Sequence, residues 1–185
     1  MVKRPEIAPE TVTDVLHTTE RTLGSVIESV LGTAPSLEVV AQWRLEPPHP
    51  GWVTPPFGAD APVLGRCTGY RDAGAELSHN LAYVDLSNVD PEVADGLETG
   101  RVHLGQLFMD PGIQKYGFEF GDDTDDPILV AEYERLLEGR AAGLHPFVWR
   151  RYVAGVGSQV SFVVIEALPL RTWEAVFARR SAELA

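Results

Sequence analysis

Two charged residues lie inside segments that are otherwise apolar. In SFVVIEALP, strand alternation puts Glu166 on one face with Val164 and Leu168. In VLGRCTGY, the same alternation puts Arg66 on a face with Leu64. An unpaired buried charge costs several kcal/mol as an order of magnitude. Each of the two residues therefore needs either a partner or a function.

Two explanations of this pair remain open from the residues alone. In the first, Arg66 and Glu166 form a structural ion pair that bridges two strands. In the second, both line a ligand pocket. Arg66 would then bind a carboxylate through its planar fork, and Glu166 would meet a hydroxyl group or a proton in transfer.

Other signals of chemistry are weak in this sequence. The histidines at 17, 49, 79, 103 and 145 show no zinc-type spacing, so we predict no metal site. No glycine-rich phosphate loop is present, and we predict no cofactor. The acidic residues 119–126 do not have the spacing of an EF-hand, which favours a solvated loop.

The elements that would position Arg66 and Glu166 follow from periodicity and turn residues. We predict an α+β fold with an antiparallel sheet of about five or six strands and helices packed against it, in a single domain over residues 1–185. Hairpins are expected over 63–86 and 146–169, after a strand at 36–46 and a proline-rich loop at 47–62. Helices are expected at 8–31, with an interruption or a new cap at Thr18 or Thr19, and at 91–99, 128–142 and 170–185.

Composition limits the partners and the compartment. The 185 residues carry a formal net charge of −12, which argues against nucleic acid and against anionic membranes as partners. No apolar run reaches the ~20 residues of a membrane span, and the N-terminus lacks the apolar segment of a signal peptide. A single cysteine, Cys67, fits a reducing compartment. We therefore expect a cytoplasmic protein of undetermined oligomeric state.

Three segments in this order resemble the chorismate pyruvate-lyase family. RCTGYRDAGAELSHNLAYV (66–84) is similar to its strand-borne arginine, glycine turn and returning strand. TGRVHLGQLF (99–108) is similar to its segment with a Leu-Gly pair. PFVWRRYVAGVGSQVSFVVIEALP (146–169) is similar to its closing hairpin, with paired arginines and a glutamate before Leu-Pro.

The resemblance implies a chorismate lyase-like fold and roles for matching residues. Arg66 would bind the carboxylate of an aromatic or pre-aromatic substrate, and the backbone N–H groups at Leu104 and Gly105 would assist it. Glu166 would be the catalytic residue, holding the 4-hydroxyl or accepting a proton. Arg150 would bind a second carboxylate, although alternation allows either it or Arg151 to face the pocket. The implied reaction eliminates pyruvate from chorismate and leaves 4-hydroxybenzoate.

Departures from the family pattern leave two further functions open. The acidic loop 119–126, the helix 128–142 and the helix 170–185 are additions that would line or cover the pocket, as a lid or merely as surface. One alternative is a biosynthetic enzyme on the same fold with another small carboxylated substrate. The other is a non-catalytic effector-type domain, resembling those of bacterial transcription regulators. The 35 residues before the first predicted strand leave little room for their DNA-binding module.

Overall fold

A computed structural model describes residues 11–49, 51, 56–137 and 143–183, and its centre is one six-stranded antiparallel sheet. The strands lie in the order β1-β2-β3-β6-β5-β4. Their bounds are Ser36–Leu45 (β1), Val63–Asp72 (β2), Ala75–Asp85 (β3), Ile113–Asp122 (β4), Phe147–Val156 (β5) and Gln159–Pro169 (β6). The predicted α+β class, with a chorismate lyase-like sheet and helices, is confirmed.

Both predicted hairpins form, and their turns explain their register. Ala73 and Gly74, with φ of 47° and 85°, connect β2 to β3 as a two-residue turn. Such turns need positive φ at both positions because their twist then matches that of the strands. Gly157, with φ of 60°, lies in the short turn between β5 and β6.

Six helices surround the sheet in the described part of the chain. They are Val12–His17 (α1), Leu23–Leu31 (α2), Pro91–Glu98 (α3), Leu104–Leu107 (α4), Pro127–Leu137 (α5) and Leu170–Glu183 (α6). The predicted interruption of the first helix is confirmed, but α2 begins later than expected. Its cap is Thr22, whose hydroxyl accepts a hydrogen bond from the Ser25 amide.

The two faces of the sheet bury different sets of helices. One face packs against α5 through a cluster that includes Cys67, Leu81 and Ile165. The opposite face carries Arg66 and Glu166, and it packs against the remaining longer helices through two other clusters. Helix α5 therefore lies on the far side of the sheet from these two charges. Of the two possibilities left open for the helix at 128–142, a lid over these charges is excluded for its described part, Pro127–Leu137, because the apolar side chains of that part belong to the other core.

The acidic segment also differs from its prediction. Residues 119–122 belong to β4 rather than to a loop, and β4 pairs with β5 at the sheet edge. The turn that follows is closed by Asp122, whose carboxylate accepts hydrogen bonds from the amide and the hydroxyl of Thr124. The predicted helix 128–142 begins at Pro127 and is described to Leu137. Residues 8–10, 50, 52–55, 138–142 and 184–185 of the predicted elements lie outside the described residues.

Candidate functional site

A row of polar side chains crosses the buried face of the sheet. Thr68, Asn80, Glu166 and Arg150 are successive cross-strand neighbours on β2, β3, β6 and β5. Arg66 lies two residues before Thr68, on the same face of β2. The row separates the two apolar clusters of this face. Strand alternation thus places a band of polar groups inside a core that is apolar on both sides of it.

The charge of Glu166 is balanced by two neighbours on β5. Arg150 donates from Nε to Oε2 at 2.5 Å, and Tyr152 donates its hydroxyl to Oε1 at 3.2 Å. Glu166 is 6% exposed and Arg150 is 0% exposed, so this ion pair is desolvated. Arg150 also donates from Nη1 to the carbonyl oxygens of Leu16 and Thr18, at 2.6 and 2.9 Å. The pair therefore fixes the end of α1 onto the sheet.

Of the two explanations left open, the structural pair between Arg66 and Glu166 is wrong, because the ion-pair partner of Glu166 is Arg150. Strand order explains the difference: β5 is the direct neighbour of β6, whereas β3 lies between β6 and the strand of Arg66. Alternation also decides between the paired arginines. Arg150 faces the interior, while Arg151 forms an ion pair with Glu119 on β4.

Arg66 is buried without an acidic partner among the described residues. It is 2% exposed, and its Nη1 donates to the carbonyl oxygen of Val102 at 2.9 Å. Its Nε and Nη2 have no hydrogen-bond partner in the part of the chain that the structure describes. Burial lowers the pKa of this guanidinium from its ordinary value. Two free donors on one planar fork are suited to a bidentate anion such as a carboxylate.

A cavity of about 50 Å³ lies beside these groups. It has room for a few water molecules, since each needs roughly 10–15 Å³ of such volume. Polar side chains and apolar side chains both contribute to its walls. The lining residues include the polar Thr22, Arg66, Thr68, Tyr70, Asn80, His103 and Glu166, and the apolar Leu23, Leu37, Leu104, Phe108 and Val164.

Four of the five predicted site residues meet at this cavity. Arg66 and Glu166 reach it from the sheet, and α4 brings Leu104 and Gly105 to its wall. Arg150 contacts the site through its ion pair with Glu166. The roles predicted for these residues in binding and catalysis stay predictions.

Asn80 is a pocket residue that was missed from the sequence. Its signal was an amide in the interior of the strand HNLAYV, on the same face as Ala82 and Val84. Thr68 and Tyr70 carried a clearer signal, because they share a face with Arg66. Burial and the charge of Glu166 raise the pKa of Tyr70.

Lys115 on β4 is a third cation near this centre, after Arg66 and Arg150, and it was not predicted. Its Nζ donates to the carbonyl oxygen of Arg21 at 2.8 Å and lies over the rings of Phe108 and Tyr152. The pKa of Lys115 is lowered from its ordinary value, first by burial and also by the charge of Arg150, while the charge of Glu166 acts in the opposite direction. Lys115 therefore ties the edge strand to the segment between α1 and α2, which leads into the cavity wall.

Two kinds of site are not seen among the described residues. No group of three or more His, Cys, Asp or Glu side chains there is arranged to hold a metal ion. In the same ranges, no helix is long and apolar enough to cross a membrane.

Comparisons with known proteins support the fold. No family model matches the chain, and no curated protein matches it. Among solved structures, PhnF from Mycobacterium smegmatis is similar over 80% of this chain, with 16% identity and a TM-score of 0.55. This chain spans 63% of that chain.

Two further solved structures are similar at lower TM-scores. One is the ligand-binding domain of a protein assigned to the GntR family of transcriptional regulators, from Bordetella bronchiseptica. Its identity is 13%, its TM-score is 0.49, and the match covers 72% of this chain and 83% of that one. The other is the C-terminal domain of the histidine utilization repressor from Pseudomonas syringae pv. tomato. Its identity is 14%, its TM-score is 0.48, and the match covers 73% and 91%.

These similarities concern the fold. At 16% identity, the similarity to PhnF shows the fold alone and leaves activity open. None of the three structures is named as a chorismate pyruvate-lyase. The resemblance drawn from the sequence is therefore confirmed as a fold relationship, while the pyruvate-eliminating activity that it implied has no support from the comparisons.

Proposed function

We propose that this domain binds a small carboxylate in the cavity beside Arg66 and acts as a non-catalytic, effector-type domain. The observation that carries the proposal is the state of Arg66. Its buried guanidinium has two nitrogens, Nε and Nη2, without partners among the described residues, and it borders a cavity that fits a carboxylate group. An unpaired buried donor costs about 1–3 kcal/mol, so such an arrangement favours a site that an anion completes.

The surroundings of Glu166 support binding rather than catalysis. Each carboxylate oxygen already accepts a hydrogen bond, one from Arg150 and one from Tyr152. A general base needs an oxygen within reach of the proton that it removes. In this arrangement the main task of Glu166 is to neutralise Arg150, which holds α1 in place.

Because of the negative net charge, anion binding at this site must depend on short-range contacts. The chain carries −12 overall, so the long-range field repels small anions. Affinity must then come from short-range hydrogen bonds to Arg66, assisted by the N–H groups at Leu104 and Gly105. We place the protein in the cytoplasm, with a small carboxylate as its partner. Exclusion of nucleic acid stays a prediction that rests on charge alone.

A chorismate lyase-like enzyme is the second candidate, and one observation favours it. Arg66, Leu104, Gly105 and Glu166 line a single cavity, as the resemblance implied. In that case chorismate would yield 4-hydroxybenzoate and pyruvate in equal amounts. An enzyme on the same scaffold with another carboxylated substrate would use the same carboxylate clamp.

Binding is tested by asking which small carboxylates the purified protein retains. Wild type, Arg66→Met and Arg71→Met are denatured, and the released small molecules are identified by mass spectrometry. Arg71 is a matched control, because it lies on the same strand but pairs with Glu38 and Glu76. We expect carboxylates with wild type and Arg71→Met and none with Arg66→Met. Equal retention by all three proteins contradicts the proposal.

Catalysis is tested separately with chorismate. The three proteins are incubated with chorismate, and pyruvate is measured through lactate dehydrogenase. The proposal expects no release above the uncatalysed background. Stoichiometric pyruvate from wild type, lost in Arg66→Met, would establish the lyase alternative instead.

A further inference from the structure

Asn80 occupies the middle of the polar row on the buried face. It lies on β3, opposite Thr68 on β2 and opposite Glu166 on β6. The residue is 9% exposed and lines the cavity. An amide at this depth in a core needs hydrogen-bond partners for both its oxygen and its nitrogen.

The protein supplies little of this hydrogen bonding. Asn80 Nδ2 donates to Thr68 Oγ1 at 3.5 Å, the outer limit for such a bond. Its Oδ1 is buried and has no partner among the described residues. Glu166 has no proton to offer when ionised, and both of its oxygens are already engaged. The missing partner of Asn80 must therefore come from the cavity.

The position of Asn80 relative to Arg66 indicates which kind of ligand would carry the missing hydrogen-bond partner of Asn80. Arg66 faces Ala82, so Arg66 and Asn80 are diagonal neighbours on adjacent strands, with Cα atoms about 7–8 Å apart. Leu104 and Phe108 contribute apolar wall to the same cavity. A carboxylate bound by Arg66 would therefore carry an apolar body toward Asn80.

We propose that Asn80 is a specificity-determining residue, which hydrogen-bonds a hydroxyl group on the far end of the carboxylate held by Arg66. A hydroxyl both donates and accepts, so it satisfies either end of the amide. A ligand without it leaves the buried amide unpaired and binds more weakly. This inference rests on the proposed carboxylate site and adds the second recognition point.

The test compares propionate, lactate and 3-hydroxypropionate, which suit a cavity of this size, by isothermal titration calorimetry. Wild type should bind at least one of the two hydroxy acids about five- to tenfold more tightly than propionate, the ratio that one neutral hydrogen bond supplies. In Asn80→Leu, which keeps the size of the side chain, the ratio should fall to within about twofold. Asn80→Val, whose branched side chain suits a strand, is a second variant in case the first does not fold.

Each result separates this inference from the proposed function. Equal affinity of wild type for all three compounds, or an undiminished ratio in either variant, overturns the role of Asn80 and leaves the carboxylate site standing. If wild type binds none of the three compounds while the mass-spectrometric assay finds other carboxylates retained, the proposed role of Asn80 is also overturned. Loss of the hydroxyl preference in both variants, with loss of all binding only in Arg66→Met, supports it.

Discussion

Replacing Arg66 by Met should stabilise the unliganded protein while it removes binding. The two unpaired donors cost about 1–3 kcal/mol each, and the bond from Nη1 to Val102 recovers about 1.5–3 kcal/mol. A methionine has a similar reach and no polar donor, so it fills the space without that cost. We expect the free energy of unfolding to rise by about 1–3 kcal/mol. The Tm should rise by about 2–4 °C for each kcal/mol in a chain of this size.

The assay is urea and thermal unfolding, with and without ligand. At a ligand concentration of 100 times Kd, wild type should gain about 2.7 kcal/mol, and Arg66→Met should gain nothing. Arg71→Met should keep the full ligand-dependent gain, because its ion pairs lie at the surface. If unliganded Arg66→Met is less stable than wild type, Arg66 is a satisfied structural residue and the reasoning fails.

Three other perturbations follow from the site. Glu166→Leu should lower the free energy of unfolding, measured in urea, by about 3–5 kcal/mol, because it leaves the buried guanidinium of Arg150 without its counter-charge. Adding Arg150→Met should restore part of this loss. Strictly additive losses in the double variant would contradict the pairing. Burial and Glu166 hold the pKa of Tyr152 well above its usual value, so its contribution to stability is present below pH 10 and lost as pH rises further. The urea midpoint of wild type should therefore fall more steeply above pH 10 than that of Tyr152→Phe, and identical slopes would argue against this. Gly24→Ala would place a methyl group 2.6 Å from the hydroxyl of Tyr70 in the cavity wall, so the Kd for 3-hydroxypropionate should rise. Gly58→Ala, whose methyl group meets nothing within 4 Å, should leave this Kd unchanged.

The local elements of the site were predictable because they depend on local rules. Period-two alternation placed Arg66 and Glu166 on buried faces of strands, and turn residues divided each hairpin into two strands. The structure has Gly74 and Gly157, both with positive φ, in these turns. Strand β4 was not predicted. Its pairing with β5 is interrupted between Tyr116 and Glu119, and it ends in acidic residues, so its pattern does not alternate cleanly.

Partners within the site were not predictable, since alternation gives the face of a residue and not its neighbour. Arg150 and Arg66 are both arginines on apolar strands that face the same side. Only the strand order places Arg150 next to Glu166 and leaves Arg66 facing the cavity. Asn80 gained its importance in the same way, from its register between Thr68 and Glu166.

The sequence by itself determined the α+β class, the two hairpins and the presence of charges inside a core, because these follow from spacing along the chain. The tertiary structure alone decided which charge is neutralised and which is available to a ligand. The physical reason is distance: ion pairing and hydrogen bonding act over a few ångströms, and only the assembled sheet brings residues far apart in sequence within that range. Glu166 is thus a structural partner of Arg150, and Arg66 is the free cation of the cavity among the described residues.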